Sequence, residues 1–187
     1  MSVDDFFDRL IIALERAEVP YMVTGSYASA AHGTPRATND IDIIIAPTDA
    51  QLWELLREFP PDRYYADEDD AFNALASRSQ FNVIDFATSW KADLIVKKDR
   101  EFSEIEFARR RPHKIGNSTV YLVSAEDILI AKLEWHKLGE SVRQLEDAAG
   151  VIRRQGAALD RSYVYRWVME LELEEQWEKA LALAAAG

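Results

Sequence analysis

Asp40 and Asp42 open the stretch DIDIIIA, residues 40–46, and no other residues of this chain are better placed to do chemistry. Side chains two apart on a strand leave the same face, which sets these carboxylates roughly 6.6–6.8 Å apart along the chain. Ile41, Ile43 and Ile45 then face the other way. Two like charges on one face of a mostly apolar strand repel and are poorly solvated unless a cation lies between them. A divalent ion meets that need, and carboxylates at this spacing can bridge two ions about 3.5–4 Å apart. The same residues could instead cap a loop or pair with Arg36, so the surrounding sequence has to decide.

Upstream, the short apolar run Tyr21-Met22-Val23-Thr24 breaks at Gly25-Ser26, where a strand gives way to a helix. Free backbone N–H groups and the helix dipole at such a turn suit an anion, and glycine lets a phosphate come close. Antiparallel pairing of the two strands would set the end of the first beside the start of the second, joining a phosphate turn to the acids.

The string GSYASAAHGTPRATNDID, residues 25–42, resembles the signature of the DNA-polymerase-β-like nucleotidyltransferase superfamily. Arg36 and Thr38 ahead of the acids look like its small bacterial branch that includes the AbiEii-type toxin nucleotidyltransferases. Lys132 in KLEWHKLG and Asp147 in QLED match the lysine and aspartate that this branch carries in C-terminal helices.

The resemblance implies a nucleoside triphosphate substrate and two Mg²⁺ ions held by Asp40, Asp42 and a third acid. It places Gly25, Ser26, Arg36, Thr38 and Lys132 on the phosphates. It also implies transfer of a nucleoside monophosphate to a hydroxyl, on an RNA 3′ end or a protein side chain, by a cytoplasmic bacterial protein. Such a protein could be the toxin of a toxin–antitoxin pair, with an antitoxin protein as partner. The alternative is a catalytically silent module of the same fold that binds nucleotide or a partner.

The third acid is Asp93, which precedes an apolar run in KADLIV as Asp42 precedes its isoleucines. Asp85 in FNVID, on the partner strand, is its competitor. Lys132 lies among Ile128, Leu129, Ile130 and Leu133, where its amine needs an anion, either a phosphate or Asp147. Glycosyltransferases that use D-x-D end an apolar strand with the acids, whereas here the isoleucines follow. Phosphatases of the haloacid-dehalogenase type place Thr after D-x-D, where this chain has Ile44.

The resemblance implies an α+β fold to position these residues: a mixed, largely antiparallel sheet with flanking helices over residues 1–123, then a helical bundle over 124–187. Helical spacing of Phe6, Phe7, Leu10, Ile11 and Leu14, with Ser2 as cap, marks a first helix. Isoleucines on both faces after the aspartates mark a central strand covered on both sides. Thr48 with Gln51 and Ser124 with Asp127 form capping boxes. FNVIDFA and KADLIV form a hairpin. The polar segment after Pro60-Pro61 reads as an exposed, partly helical excursion, and EFARRRPHKIGNS as a basic stretch with a helix.

The 187 residues carry a net charge of −11, which argues against a protein that coats nucleic acid. Residues 91–114 nevertheless hold eight Lys/Arg against five Asp/Glu, and Arg109, Arg110, Arg111, His113 and Lys114 form either a solvated face or a polynucleotide track. The absence of cysteine excludes disulfides and thiolate zinc sites and fits a reducing cytoplasm. His32, His113 and His136 are too far apart for usual metal spacings, so only an oxygen-ligated metal is invited. No apolar run is long enough for a membrane span, and the acidic first segment is an amphipathic helix rather than a secretory leader.

Overall fold

The computed structural model describes residues 3–34, 40–115 and 118–186. The first part of the chain forms α1 (Val3–Arg16), β1 (Tyr21–Val23), α2 (Gly25–His32), β2 (Asp40–Ile45), α3 (Asp49–Arg57), β3 (Tyr64–Tyr65), α4 (Glu68–Ser77), β4 (Gln80–Asp85) and β5 (Lys91–Val96). There follow α5 (Glu101–Ala108), β6 (Arg111–Ile115), β7 (Ser118–Leu122), α6 (Ala125–Gly139), α7 (Val142–Gln155), α8 (Arg161–Glu170) and α9 (Glu174–Ala186). The strands make one sheet of seven in the order β3-β4-β5-β2-β1-β7-β6. Pairs β1/β7 and β2/β5 are parallel and the other four are antiparallel, so the sheet is mixed and largely antiparallel as the sequence predicts.

The chain divides into two compact units, Met1–Thr24 with Thr38–Leu122, and Gly25–Ala37 with Val123–Gly187. The helix that follows β1 therefore groups with the C-terminal helices, although chain order sets it among the strands. Among the described residues, no helix is long and apolar enough to cross a membrane.

In the sheet unit, one face is apolar and closed. Ile41, Ile43 and Ile45 of β2 are fully buried, as are Ala92 and Leu94 of β5 and Val83 of β4. Each buried isoleucine is worth roughly 1.5–3 kcal/mol over an exposed one, and a slip of one residue would turn all three to the opposite face. That penalty fixes the register which carries the aspartates. The other face is only half-covered: Ile44, Ile84 and Ile95 are partly exposed, so β2 is central without being closed on both sides. The sequence cannot show this, because isoleucine at alternate positions looks the same above a closed face and an open one.

Phe6, Phe7, Leu10, Ile11 and Leu14 of α1 are all buried, and Phe6 stacks on Tyr64 with ring centroids 6.3 Å apart. Ser2, the expected cap, lies outside the described residues. The capping box of α3 is complete, with Thr48 accepting from Gln51 N–H and the Gln51 side chain from Thr48 N–H.

Two segments differ from expectation. The stretch after Pro60-Pro61 is an edge strand and a packed helix, because Tyr64 wedges against Phe59 and because Ala71, Ala74 and Leu75 give α4 a small buried face that its acidic residues hide in the sequence. The basic run is also not helical: the helix is α5, upstream, and Arg111–Ile115 form β6, paired with β7. An edge strand exposed on both faces needs no apolar alternation, and charges with a proline discourage further pairing.

In the helical unit, α2 packs closely on α7. A Cβ added to Gly33 would lie 2.9 Å from Val151 N and 3.0 Å from Gly150 C. The small residues Ala28 and Ser29 are buried on α2, as are Ala148 and Ala149 on α7. Trp167 and Trp177 are core residues of the bundle. Ser124 Oγ accepts from Asp127 N–H at 3.1 Å, and Asp160 caps α8 through Tyr163 N–H at 3.0 Å.

Candidate active site

Asp42 and Asp93 are register partners on the adjacent parallel strands β2 and β5, and Asp40 is the partner of Lys91 one alternation earlier. Partners on neighbouring strands stand about 4.8 Å apart and leave the same face of the sheet. Antiparallel pairing of β4 with β5 adds Asn82 opposite Asp93. One row across the half-covered face therefore reads Asn82, Asp93, Asp42, and the next reads Ile84, Lys91, Asp40. Asp40 is exposed, Asp42 is half-buried and Asp93 is buried.

Sequence reasoning overlooked Lys91 and Asn82. The signal was available for Lys91: it stands two residues before Asp93, so the period of a strand puts both on one face. Its Nζ lies 3.0 Å from Asp93 Oδ2 and 3.8 Å from Asp40 Oδ1. Burial alone would push the Lys91 ammonium down. The hydrogen bond and charge of Asp93, with the charges of Asp40 and Asp42, prevail and hold its pKa above the ordinary lysine value. Asp93 Oδ1 and Asn82 Oδ1 are both buried with no hydrogen-bond partner among the described residues.

Asp85, the competing third acid, is engaged elsewhere. It is 2% exposed, lies 2.7 Å from Arg9 Nη2, and accepts from Thr88 Oγ1 at 2.9 Å and Ala87 N–H at 3.1 Å. It ties α1 to the β4–β5 turn, where Ser89 takes the left-handed φ of 58°.

At the end of β1, Thr24 N–H donates to Asp42 O at 3.0 Å, as antiparallel pairing requires. Gly25 follows with φ of 61°, a left-handed conformation that glycine enters without a Cβ clash, and begins α2. Ser26 is buried, and Ser29 Oγ donates to Gly25 O at 2.9 Å. Arg36 and Thr38 lie outside the described residues. Lys132 on α6 is 3.0 Å from Asp147 on α7, both nearly buried, so of the two anions the sequence offered it the aspartate is present within the helical unit. In the basic run, Arg110 stacks over Phe107 at 4.1 Å and Tyr121 at 5.2 Å, which makes it a packing residue, while Arg111, His113 and Lys114 are exposed.

Among the described residues, no three carboxylates or imidazoles converge as a metal site. The donor set nevertheless fits a hard, oxygen-seeking cation: three aspartates on one face, one with a buried oxygen that no described residue satisfies. Such an orphaned acceptor costs about 1–3 kcal/mol, more when charged, and a bound cation would remove that cost.

No protein-family model matches the chain, and no curated protein matches it. Solved structures do. A nucleotidyltransferase-like antigenic protein from Paracoccidioides brasiliensis aligns over 98% of this chain and 94% of its own, with TM-score 0.57 and 18% identity. The antibiotic-resistance factor ANT(2'')-Ia in solution aligns over 96% and 88%, with TM-score 0.52 and 16% identity. Its crystal structure with adenylyl-2''-tobramycin aligns over 97% of both chains, with TM-score 0.50 and 13% identity. At these identities the likeness is one of fold, and the fold is that of nucleotidyltransferases.

Proposed function

We propose that this chain is a divalent-metal-dependent nucleotidyltransferase that moves a nucleoside monophosphate from a nucleoside triphosphate to a hydroxyl acceptor and releases pyrophosphate. The observation that carries this reading is the register of Asp42 with Asp93, one alternation from Asp40, with Asp93 Oδ1 buried and unsatisfied. The shared fold supports it.

Asp40, Asp42 and Asp93 would hold two Mg²⁺ ions, which when bound supply positive charge to the reacting phosphate and to the departing pyrophosphate. Asp42 stands in register with Asp93 and one alternation from Asp40, and would share in holding the ions. Asp93 would assist removal of the acceptor hydroxyl's proton as the acceptor oxygen bonds to the α-phosphorus and the bond to pyrophosphate breaks. Gly25, with φ of 61° at the start of α2, and Ser26 would offer backbone N–H groups to the triphosphate. Arg36, Thr38 and Lys132 complete the phosphate-binding set on the sequence pattern. Positioning and charge neutralisation supply the rate, with no covalent intermediate.

The acceptor is an RNA 3′ end or a protein side chain, and the resemblance to AbiEii-type proteins extends the proposal to a cytoplasmic toxin held by an antitoxin. A small hydroxylated molecule is a third acceptor to try, since a protein of this fold has been solved with adenylyl-2''-tobramycin. Labelled nucleoside triphosphates with Mg²⁺, offered to total RNA, total protein and aminoglycosides, test the assignment. Label transfer and pyrophosphate release by the native chain but not by Asp42→Asn are expected. Transfer that persists in Asp42→Asn would refute it. Lys91 beside Asp93 favours one second reading, a silent nucleotide-binding module, and nucleotide-dependent thermal stabilisation without turnover on any acceptor would select it.

A further inference from the structure

The acidic face carries a cation of its own. Lys91 leaves the sheet on the same side as the acids, and its Nζ sits 3.0 Å from Asp93 Oδ2 and 3.8 Å from Asp40 Oδ1. Asp93 Oδ1 is buried, so an ion arriving from solvent meets Oδ2, the oxygen that Lys91 holds, and Mg²⁺ bound there would stand about 2.0–2.1 Å from it. An ammonium and a divalent ion cannot share one oxygen at these distances without strong repulsion. The ammonium has a way out, because 36% of the Lys91 side chain is already exposed while only 12% of the Asp93 side chain is.

We propose that Lys91 is a built-in competitor of the divalent ion: its ammonium holds Asp93 and Asp40 in the metal-free protein and has to leave Asp93 when the ion binds. Lys91 thereby sets the ion concentration at which the site assembles. It also removes the repulsion among the three aspartates while no metal is present, so the sheet face is stable before loading. This inference rests on the proposed function only in taking the aspartates as the ion's ligands. Lys91 is a positioning residue here, since it acts through Asp93.

Mn²⁺ binding to the full chain without nucleotide, measured by calorimetry and by loss of the free-ion paramagnetic signal at fixed pH and ionic strength, tests it. Lys91→Met should bind Mn²⁺ about fivefold more tightly than the native chain, the effect of removing an ion pair worth about 1 kcal/mol. Lys98→Met, which removes an exposed charge, should bind as the native chain does. Without metal, Lys91→Met should also melt lower than the native chain, and saturating Mn²⁺ should close that gap. If Lys91→Met does not fold, Lys91→Gln carries the same comparison.

Equal or weaker Mn²⁺ binding in a folded Lys91 variant overturns the proposal, while loss of binding in Asp93→Asn leaves the aspartates as ligands. Native binding in Asp93→Asn, or no binding in any form, overturns both this inference and the metal-dependent function.

Discussion

Asp85 and Asp93 lie on the two strands of one hairpin, both nearly buried, and their surroundings differ in kind. Asp85 has Arg9 at 2.7 Å, the Thr88 hydroxyl and the Ala87 N–H, so both of its oxygens are used. Asp93 has Lys91 on one oxygen and, among the described residues, no hydrogen-bond partner on the other. A carboxylate whose bonds are all made internally is part of the scaffold. One that is buried, charged and half-satisfied is held ready for something the protein does not supply. Burial alone does not separate the two, and the separation comes from counting partners.

The largest effect should come from breaking the half-satisfied member. Asp93→Asn should lower transfer by about 10³-fold or more, the loss expected when an electrostatic contact made in the transition state is removed. Its melting temperature should hold or rise, because a charge with an orphaned oxygen is gone. Asp85→Asn should do the reverse. Breaking a buried pair costs about 3–5 kcal/mol, and with Arg9 partly exposed the lower end applies, so melting should drop by about 6–12 °C. Activity per folded molecule should stay near native. Thermal melts with pyrophosphate-release rates on both variants would exchange the roles of the two acids if the effects came out reversed.

The acids on β2 were legible in the sequence because spacing and side-chain period act over two or three residues. So were the caps at Thr48 and Ser124 and the stripe on α1. Arg9 was not legible as the partner of Asp85, since 76 residues separate them and a long-range ion pair leaves no local pattern. β6 was missed because Arg111 to Lys114 are all exposed, which leaves no apolar alternation. Asn82 was missed because one polar residue in a strand is uninformative until pairing sets it opposite Asp93. Arg36 and Thr38 stand on the sequence alone.

A second contrast sets the two lysine–aspartate pairs side by side. Lys91–Asp93 and Lys132–Asp147 are both 3.0 Å apart, but the Lys132 side chain is 5% exposed against 36% for Lys91. Lys132 has no open route away from its partner. Lys132→Met should therefore destabilise by about 3 kcal/mol, leaving Asp147 charged and buried, and the double variant with Asp147→Leu should recover most of that loss. Urea unfolding of the two single variants and the double variant measures the coupling. A stable double variant that no longer uses nucleoside triphosphate would place Lys132 on the phosphates as well. One that keeps full activity would confine the pair to the helical unit.

The smallest effect tests whether an orphaned polar atom is enough to mark a site. Tyr21 Oη is buried without a well-formed hydrogen bond among the described residues, as Asp93 Oδ1 is, but its surroundings are Glu15 and the Tyr121 ring, whose centroid lies 5.9 Å from that of Tyr21, rather than a row of acids. Burial first, and the Glu15 charge second, push the Tyr21 hydroxyl up to about 12. The fold therefore favours its protonated form. That contribution is fully present below the unfolded value near 10 and is lost as pH rises from there toward 12. Between pH 8 and pH 11 the native chain should lose on the order of 1 kcal/mol more than Tyr21→Phe does, read from urea midpoints at the two pH values. At pH 8, Tyr21→Phe should match the native chain in stability and in transfer. A transfer defect there would mean that the orphaned hydroxyl has a ligand, and that a row of acids is not what separates Asp93 from it.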